Sequence, residues 1–250
     1  MIPIKSPANI GKMKAAGRIA ANALETAGRA IKSGMTTKEL DKVMHDYIIS
    51  CGAKPSFLGY NGFKGSACIS INEEVIHGIP SDRVIMEGDL VSVDVGACFD
   101  GFHGDCAKTF FVGDVPERAK KLAQVTEQSF FEGIKMALAG NRIGDISNAV
   151  QSYCESFGYG VVYTFNGHGI GRALHEDPTV PNKGLAKRGV KLIPGMTLAI
   201  EPMVNEGTAE VRILSDEWTV VTKDGKLSAH YENTILITDR DPVILTAADI

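Results

Sequence analysis

Two aspartates, Asp94 and Asp105, flank the segment VGACFDGFHG, and Asp100-Gly101 at its centre has the composition of a two-residue hairpin turn. In such a hairpin, paired positions sum to 201, so Asp94 faces Ala107 and Asp105 faces Gly96. Side chains alternate along a strand, which makes the two carboxylates diagonal neighbours on one face, their β-carbons at most roughly 7 Å apart. Like charges that close need a countercharge. A surface hairpin with solvated acids would carry the same pair, but Asp94 lies inside VSVDVG, where an acid between apolar neighbours needs a partner.

Three further clusters carry the same kind of chemistry. Asn166-Gly167-His168-Gly169-Ile170-Gly171 frames a histidine with glycines, which lets backbone approach a ligand closely, and His175-Glu176 follows within the same short segment. Glu201 ends the apolar run TLAI, and Glu232 enters the β-rich run ENTILIT. Each acid alone reads equally as a solvated strand end. Together they form a carboxylate-rich, histidine-poor set suited to two divalent cations about 3.5–4 Å apart, whose mutual repulsion bridging carboxylates offset. A mononuclear zinc site needs about four ligands, usually richer in His or Cys. The sequence has no serine or cysteine elbow and no phosphate-cradling loop, so a metal-activated water is the expected nucleophile and hydrolysis the expected reaction.

The elements that must position these groups are readable from periodicity. Ser6-Pro7 has the form of a helix start, and apolar or small residues recur from Ile10 to Ile31, predicting one long helix that ends near Gly34. Thr36-Thr37-Lys38-Glu39 has capping-box spacing and opens a second helix that runs to Gly52. Amphipathic segments follow at about 116–139 and 143–157. Strands are expected at 67–71, 90–95, 109–112, 161–164, 197–201, 211–214, 218–222 and 234–238. The class is α+β, and with no linker or low-complexity tract the expectation is a single catalytic domain over 1–250.

Gly88-Asp89-Leu90-Val91-Ser92-Val93-Asp94 aligns without gaps on Gly195-Met196-Thr197-Leu198-Ala199-Ile200-Glu201, and a His-x-x-Pro motif precedes each, at His77–Pro80 and His175–Pro178. The chain therefore reads as a duplicated half-domain in which each copy delivers one carboxylate and one histidine to a central site.

Composition narrows the partners. The 250 residues are 44% hydrophobic, enough for a substantial core, and the formal net charge of -4 with scattered basic residues argues against nucleic acid. No apolar run reaches the ~18 residues of a membrane span, and MIPIKSPANIGKMKAAGR lacks a signal-peptide core. Five cysteines without a C-x-x-C pair suit a reducing cytosol.

Through CISINEEVIHGIP, DLVSVDVGACFDGFHGD, NGHGIGRALHEDP, PGMTLAIEPM and HYENTILIT, the sequence closely resembles the type I methionine aminopeptidases of peptidase family M24, subfamily A, in their short bacterial form. The resemblance spans nearly the whole chain. It implies a pita-bread fold of pseudo-twofold half-domains, with an antiparallel sheet and covering helices. It further implies that Asp94 chelates one metal, that Asp105 and Glu232 bridge two, and that His168 and Glu201 complete the second. The ions would be Fe²⁺, Mn²⁺, Co²⁺ or Zn²⁺, activating a hydroxide. His77 would contact the scissile amide, His175 would stabilise the oxyanion, and Glu201 would shuttle a proton. Tyr60, Phe63, Cys68, Phe165, Leu174 and Trp218 match the family's methionine pocket, with Phe57 at its rim. The implied substrates are nascent polypeptide N-termini in the cytoplasm, met by a monomer with transient ribosome contact. Because Met1 precedes the bulky Ile2, the chain should retain its own initiator.

The sequence departs from many members at Phe57, Phe165 and Asn233, which bears on pocket shape rather than reaction. Proline-specific peptidases share the five ligands but carry a large N-terminal domain. Creatinase-like hydrolases lack the ligands, and a metal-free binding module would have no use for His77 and His175.

Overall fold

A computed structural model of the chain describes residues 2–249, so Met1 and the expectation about its retention lie outside the described residues. Helix α1 spans Pro7–Ala30 and is capped by the Ser6 hydroxyl, with proline in its first turn. It stops short of Gly34 because residues 34 and 35 leave the helix to pair with Ile85, whose N–H and C=O bond Met35 and Gly34. Helix α2, Thr37–Ser50, has the capping box in full, with Thr36 and Glu39 satisfying each other's backbone N–H groups. Helix α3 covers Glu117–Lys135 and α4 Ile143–Glu155.

The strands in the first half are β1 Lys54–Pro55, β2 Ala67–Ile71, β3 Glu74–Ile76, β4 Leu90–Phe99 and β5 Phe102–Phe111. In the second half they are β6 Gly160–Val161, β7 Gly167–Gly169, β8 Glu176–Val180, β9 Thr197–Ile200 and β10 Met203–Asn205, then β11 Val211–Ile213, β12 Val220–Thr222, β13 Ser228–His230, β14 Glu232–Leu236 and β15 Val243–Ile244. The main sheet is antiparallel in the order β1-β4-β5-β14-β9-β7-β8, with β2 also on β4 and β15 also on β14. The β4–β5 hairpin has the expected register, Asp94 opposite Ala107 and Gly96 opposite Asp105. Asp100 and Gly101 have φ of 51° and 77°, as a tight hairpin of this kind requires.

The order of this sheet is a palindrome about the β5–β14 junction. Outward from it lie β4 and β9, then β2 and β7. The aligned glycines turn in the same way: Gly88 and Gly195 have φ of 88° and 90°, and each donates its N–H to the strand beyond, at Val112 and Ile237. At the junction the correspondence reaches individual hydrogen bonds. The Thr234 hydroxyl accepts from the N–H of Asp105 and donates to its C=O, at 3.0 and 2.9 Å. The Thr109 hydroxyl does the same for His230, also at 3.0 and 2.9 Å.

Alternation then separates core from site. Val91, Val93, Val95 and Cys106 turn to one face and pack under α1 and α2 with Leu24, Leu40 and Met44. Leu198, Ile200 and Ile235 pack with Phe130, Ile143 and Ile146 of α3 and α4. The intervening residues, Asp94, Asp105 and Glu232 among them, face the opposite side, away from the helices.

Candidate metal centre

On that opposite face a cavity of about 270 Å³ opens to solvent. Its floor is Asp94, Asp105, His168, Glu201 and Glu232, so residues from five separate places in the sequence meet there. Asp105, His168 and Glu232 are buried, while Asp94 and Glu201 keep a little exposed area where they line the cavity. The glycines beside His168 act differently from the sequence reading. A β-carbon on Gly167 would lie 2.3 Å from the Ala199 carbonyl, and one on Gly169 2.2 Å from that of Asp177. They let β7 fit between its neighbouring strands, and ligand approach is not what demands them.

The His168 ring is oriented by its neighbour. Its Nδ1 lies 2.9 Å from the Gly169 carbonyl, which can only accept, so Nδ1 carries the hydrogen and Nε2 keeps a free lone pair 3.6 Å from Glu201 Oε1. Burial holds its pKa down to about 3. The carboxylates move the other way. Burial, reinforced by the neighbouring acids, pushes Asp94, Glu201 and Glu232 well above the usual carboxylate range, and burial raises Asp105 to about 7. The lining holds four acids and neither lysine nor arginine, and burial keeps His77 and His168 neutral, so the acids lack a countercharge.

The hydrogen-bond census says the same. Among the described residues, the buried side-chain atoms without a partner are Asp94 Oδ1, Asp105 Oδ1, Glu232 Oε1 and His230 Nε2. Such groups normally cost too much to leave unpaired. Two overlapping trios, Asp105-His168-Glu232 and Glu201-His230-Glu232, bring their ligand atoms within 4.8 Å of one another, and Asp94 belongs to neither. Oxygen donors with imidazole nitrogens, in two groups that share Glu232, fit divalent cations.

Around this floor stand the other predicted residues. His175 accepts or donates at Nδ1 to the Tyr60 hydroxyl, 2.7 Å away, and its ring centre lies 4.1 Å from that of His168. His77 holds the left-handed φ of 60° and crosses the Trp218 ring edge-on at 6.2 Å. Burial, with the neighbouring His175, lowers its pKa to about 4. Phe63 meets Trp218 edge-on at 5.0 Å, and Cys68 sits opposite Asp94 across β2 and β4. Phe57 and Leu174 complete the apolar wall. Burial beside the acids keeps the Cys68 sulfur a neutral thiol. Phe165 lies apart from the cavity wall and packs edge-on behind His77, 5.7 Å between ring centres.

Two residues of the site had no role in the sequence reading. Asn61, with φ of 48°, lines the cavity mouth. His230, two residues before Glu232, is grouped with Glu201 and Glu232, and the signal that marks it is the matched Thr109 and Thr234 of the two halves.

The model of metallopeptidase family M24 matches residues 11–239. A methionine aminopeptidase of Clostridium acetobutylicum is 54% identical over 250 residues, all of both chains. Methionine aminopeptidase 1 of Bacillus subtilis is 50% identical over 98% of this chain and 99% of its own. The crystal structure of methionine aminopeptidase from Thermotoga maritima superposes with a TM-score of 0.97 at 47% identity, covering 98% of this chain and 99% of the other. The palindromic sheet with its helices on one face is thus the pita-bread fold. The chain belongs to metallopeptidase family M24 and, within it, to the bacterial methionine aminopeptidases of type I.

Proposed function

We propose that this metalloaminopeptidase removes the initiator methionine from polypeptides whose second residue is small, using two divalent cations held by Asp94, Asp105, His168, Glu201 and Glu232. The observation that carries the reading is the buried acid cluster: unpaired carboxylate oxygens converge on a cavity whose walls are apolar. Bound there, the cations would acidify a shared water towards neutrality and draw in the free α-amine of a substrate, which confines cleavage to the first residue. Fe²⁺, Mn²⁺, Co²⁺ and Zn²⁺ all suit the donor set.

The chain's own groups supply the rest. With the Tyr60 hydroxyl donating to Nδ1 of His175, Nε2 carries the proton and is a donor for the oxyanion that develops on the scissile carbonyl. Burial keeps His77 neutral, which leaves it a ring N–H to offer the amide and the leaving amine. Glu201, in contact distance of the cluster yet open to the cavity, takes the proton of the attacking water and passes it to the leaving amine. Phe63, Cys68, Leu174 and Trp218 form a slot of apolar and polarizable character suited to an unbranched thioether. Phe165 would act on that slot through His77. The substrates would be nascent chains met in the cytoplasm, in transient contact with the ribosome and as a monomer.

The assay incubates purified protein with Met-Ala-Ser, Met-Leu-Ser and Ala-Pro-Ala, each with and without Mn²⁺ or Co²⁺. Release of methionine from Met-Ala-Ser alone, and only with metal, is expected. Cleavage of Ala-Pro-Ala in its place would make the chain a proline-specific peptidase, and no cleavage of any peptide would refute the reading.

A further inference from the structure

The pseudo-twofold relation does more than align Asp94 with Glu201. Thr234 clasps the backbone of Asp105 and Thr109 clasps that of His230 by the same pair of bonds, across the same junction. His230 is therefore the second half's counterpart of Asp105, a residue on the floor of the metal cavity. Its ring is buried, its Nε2 has no hydrogen-bond partner, and one ring nitrogen lies within 4.8 Å of carboxylate oxygens of Glu201 and Glu232. A histidine kept only for packing would have that nitrogen satisfied by protein. Here it is unpartnered, in a ring that stands beside two acids that themselves lack countercharge.

Resting on the metallopeptidase reading, we propose that His230 is a sixth metal-ligating residue, donating an imidazole nitrogen to the cation shared by Glu201 and Glu232. Each of the two trios then holds one imidazole: His168 stands with Asp105 and Glu232, and His230 with Glu201 and Glu232. Imidazole favours zinc and iron over manganese, so a nitrogen from His230 tilts the position of Glu201 and Glu232 towards those ions.

The test is metal binding, independent of turnover. Metal-free protein receives two equivalents of Zn²⁺, and X-ray absorption at the zinc edge counts coordinated imidazoles per zinc; an average of about one is expected in the wild-type chain and about one half in His230→Gln. Titration calorimetry should show the Zn²⁺ dissociation constant of His230→Gln weakened roughly ten- to a hundredfold, with that for Mn²⁺ changed much less. An average of about one half imidazole per zinc in the wild-type protein would overturn the proposal, and that measurement stands even if His230→Gln folds poorly. Zinc affinity unchanged in a well-folded His230→Gln would overturn it too. His168→Ala separates the two readings: loss of zinc there but not in His230→Gln removes His230 and leaves the metallopeptidase, whereas a wild-type chain that binds no cation removes both.

Discussion

The two halves of the sheet share a plan and furnish it differently. Where the second half places His168, the first has Ser70, each opposite a β-strand residue of the matched pair Ala199 and Ser92. The Ser70 hydroxyl is spent on the backbone, accepting from the N–H of Gly78. Where the second half has Glu232, the first has Ala107, and the two face each other across the junction. Only at Asp94 and Glu201 do both halves present an acid. A symmetric frame thus carries an asymmetric cavity: the second half contributes the longer, more numerous ligands, and the first leaves the room they need. A glutamate at position 107 would meet Glu232 directly and add a fifth uncompensated acid.

Removing a ligand from either half should have the largest effect. His168→Ala and Asp94→Ala should each abolish hydrolysis of Met-Ala-Ser and reduce the metal retained after gel filtration, read by atomic emission. Ser70→Ala, the counterpart of the first, should keep its metal. Wild-type turnover in either ligand variant would remove that residue from the centre.

Next in size is the coupling of cation binding to pH. In the metal-free protein the Asp105 carboxyl holds its proton up to about 7, whereas the unfolded chain releases it near the usual carboxylate value. The unfolded form therefore binds fewer protons between pH ~4 and ~7, and metal-free stability falls across that window as pH rises. Cations compete with the same proton, so their stabilising effect should grow over that range. At a cation concentration a hundred times the dissociation constant the gain is about 2.7 kcal/mol. Thermal melts at pH 5 and pH 8, with and without Mn²⁺, measure it. An equal shift at both pH values would mean that the acids are already ionised in the metal-free fold.

The clasping threonines offer a smaller and more even contrast. Thr→Val at 109 or 234 keeps the shape but leaves a backbone N–H and C=O without their partner, at about 1–3 kcal/mol. Thr234 is fully buried, whereas Thr109 is half-buried and also bonds the Ser92 hydroxyl. Thr234→Val should lose more stability in urea titration. A larger loss at Thr109 would mean that its extra bond to Ser92, rather than burial, sets the strength of the clasp.

How much of this was legible follows from where the information lies. The DG turn, the alternation of VSVDVG and the capping box at Thr36 are local, and the chain's own residues fix them. The gapless match of 88–94 with 195–201 is legible because it pairs a turn glycine with a strand of fixed period. His230 is hidden because its meaning comes from a partner, Thr109, that is 121 residues away and adjacent only across the β5–β14 junction. Strands such as β7 and β13, three residues each, carry too few alternations for a period to register. Phe165 matches the pocket as a residue type, but the turn of chain after β6 sets its ring behind His77.

The turn glycines of the two halves share a conformation but not their surroundings. Both Gly88 and Gly195 hold φ near 90°, which an L-residue adopts only with strain of about 1–2 kcal/mol. Around Gly88 there is open space for a methyl group, its nearest neighbour the Asp114 carbonyl at 3.8 Å. Around Gly195 there is not: a β-carbon would sit 2.6 Å from the Ile4 side chain and 3.2 Å from the Lys5 carbonyl. The chain before α1 crosses this turn, with Lys5 donating to the Gly195 carbonyl and its ammonium paired with Glu176, next to His175. Gly88→Ala should therefore lose only the backbone strain, while Gly195→Ala loses that and also displaces the N-terminal strap. Equal losses in denaturant titrations would mean that the strap yields freely. A larger loss at Gly195, accompanied by a raised KM for Met-Ala-Ser, would show that the strap holds the His175 loop in place, a constraint with no counterpart in the first half.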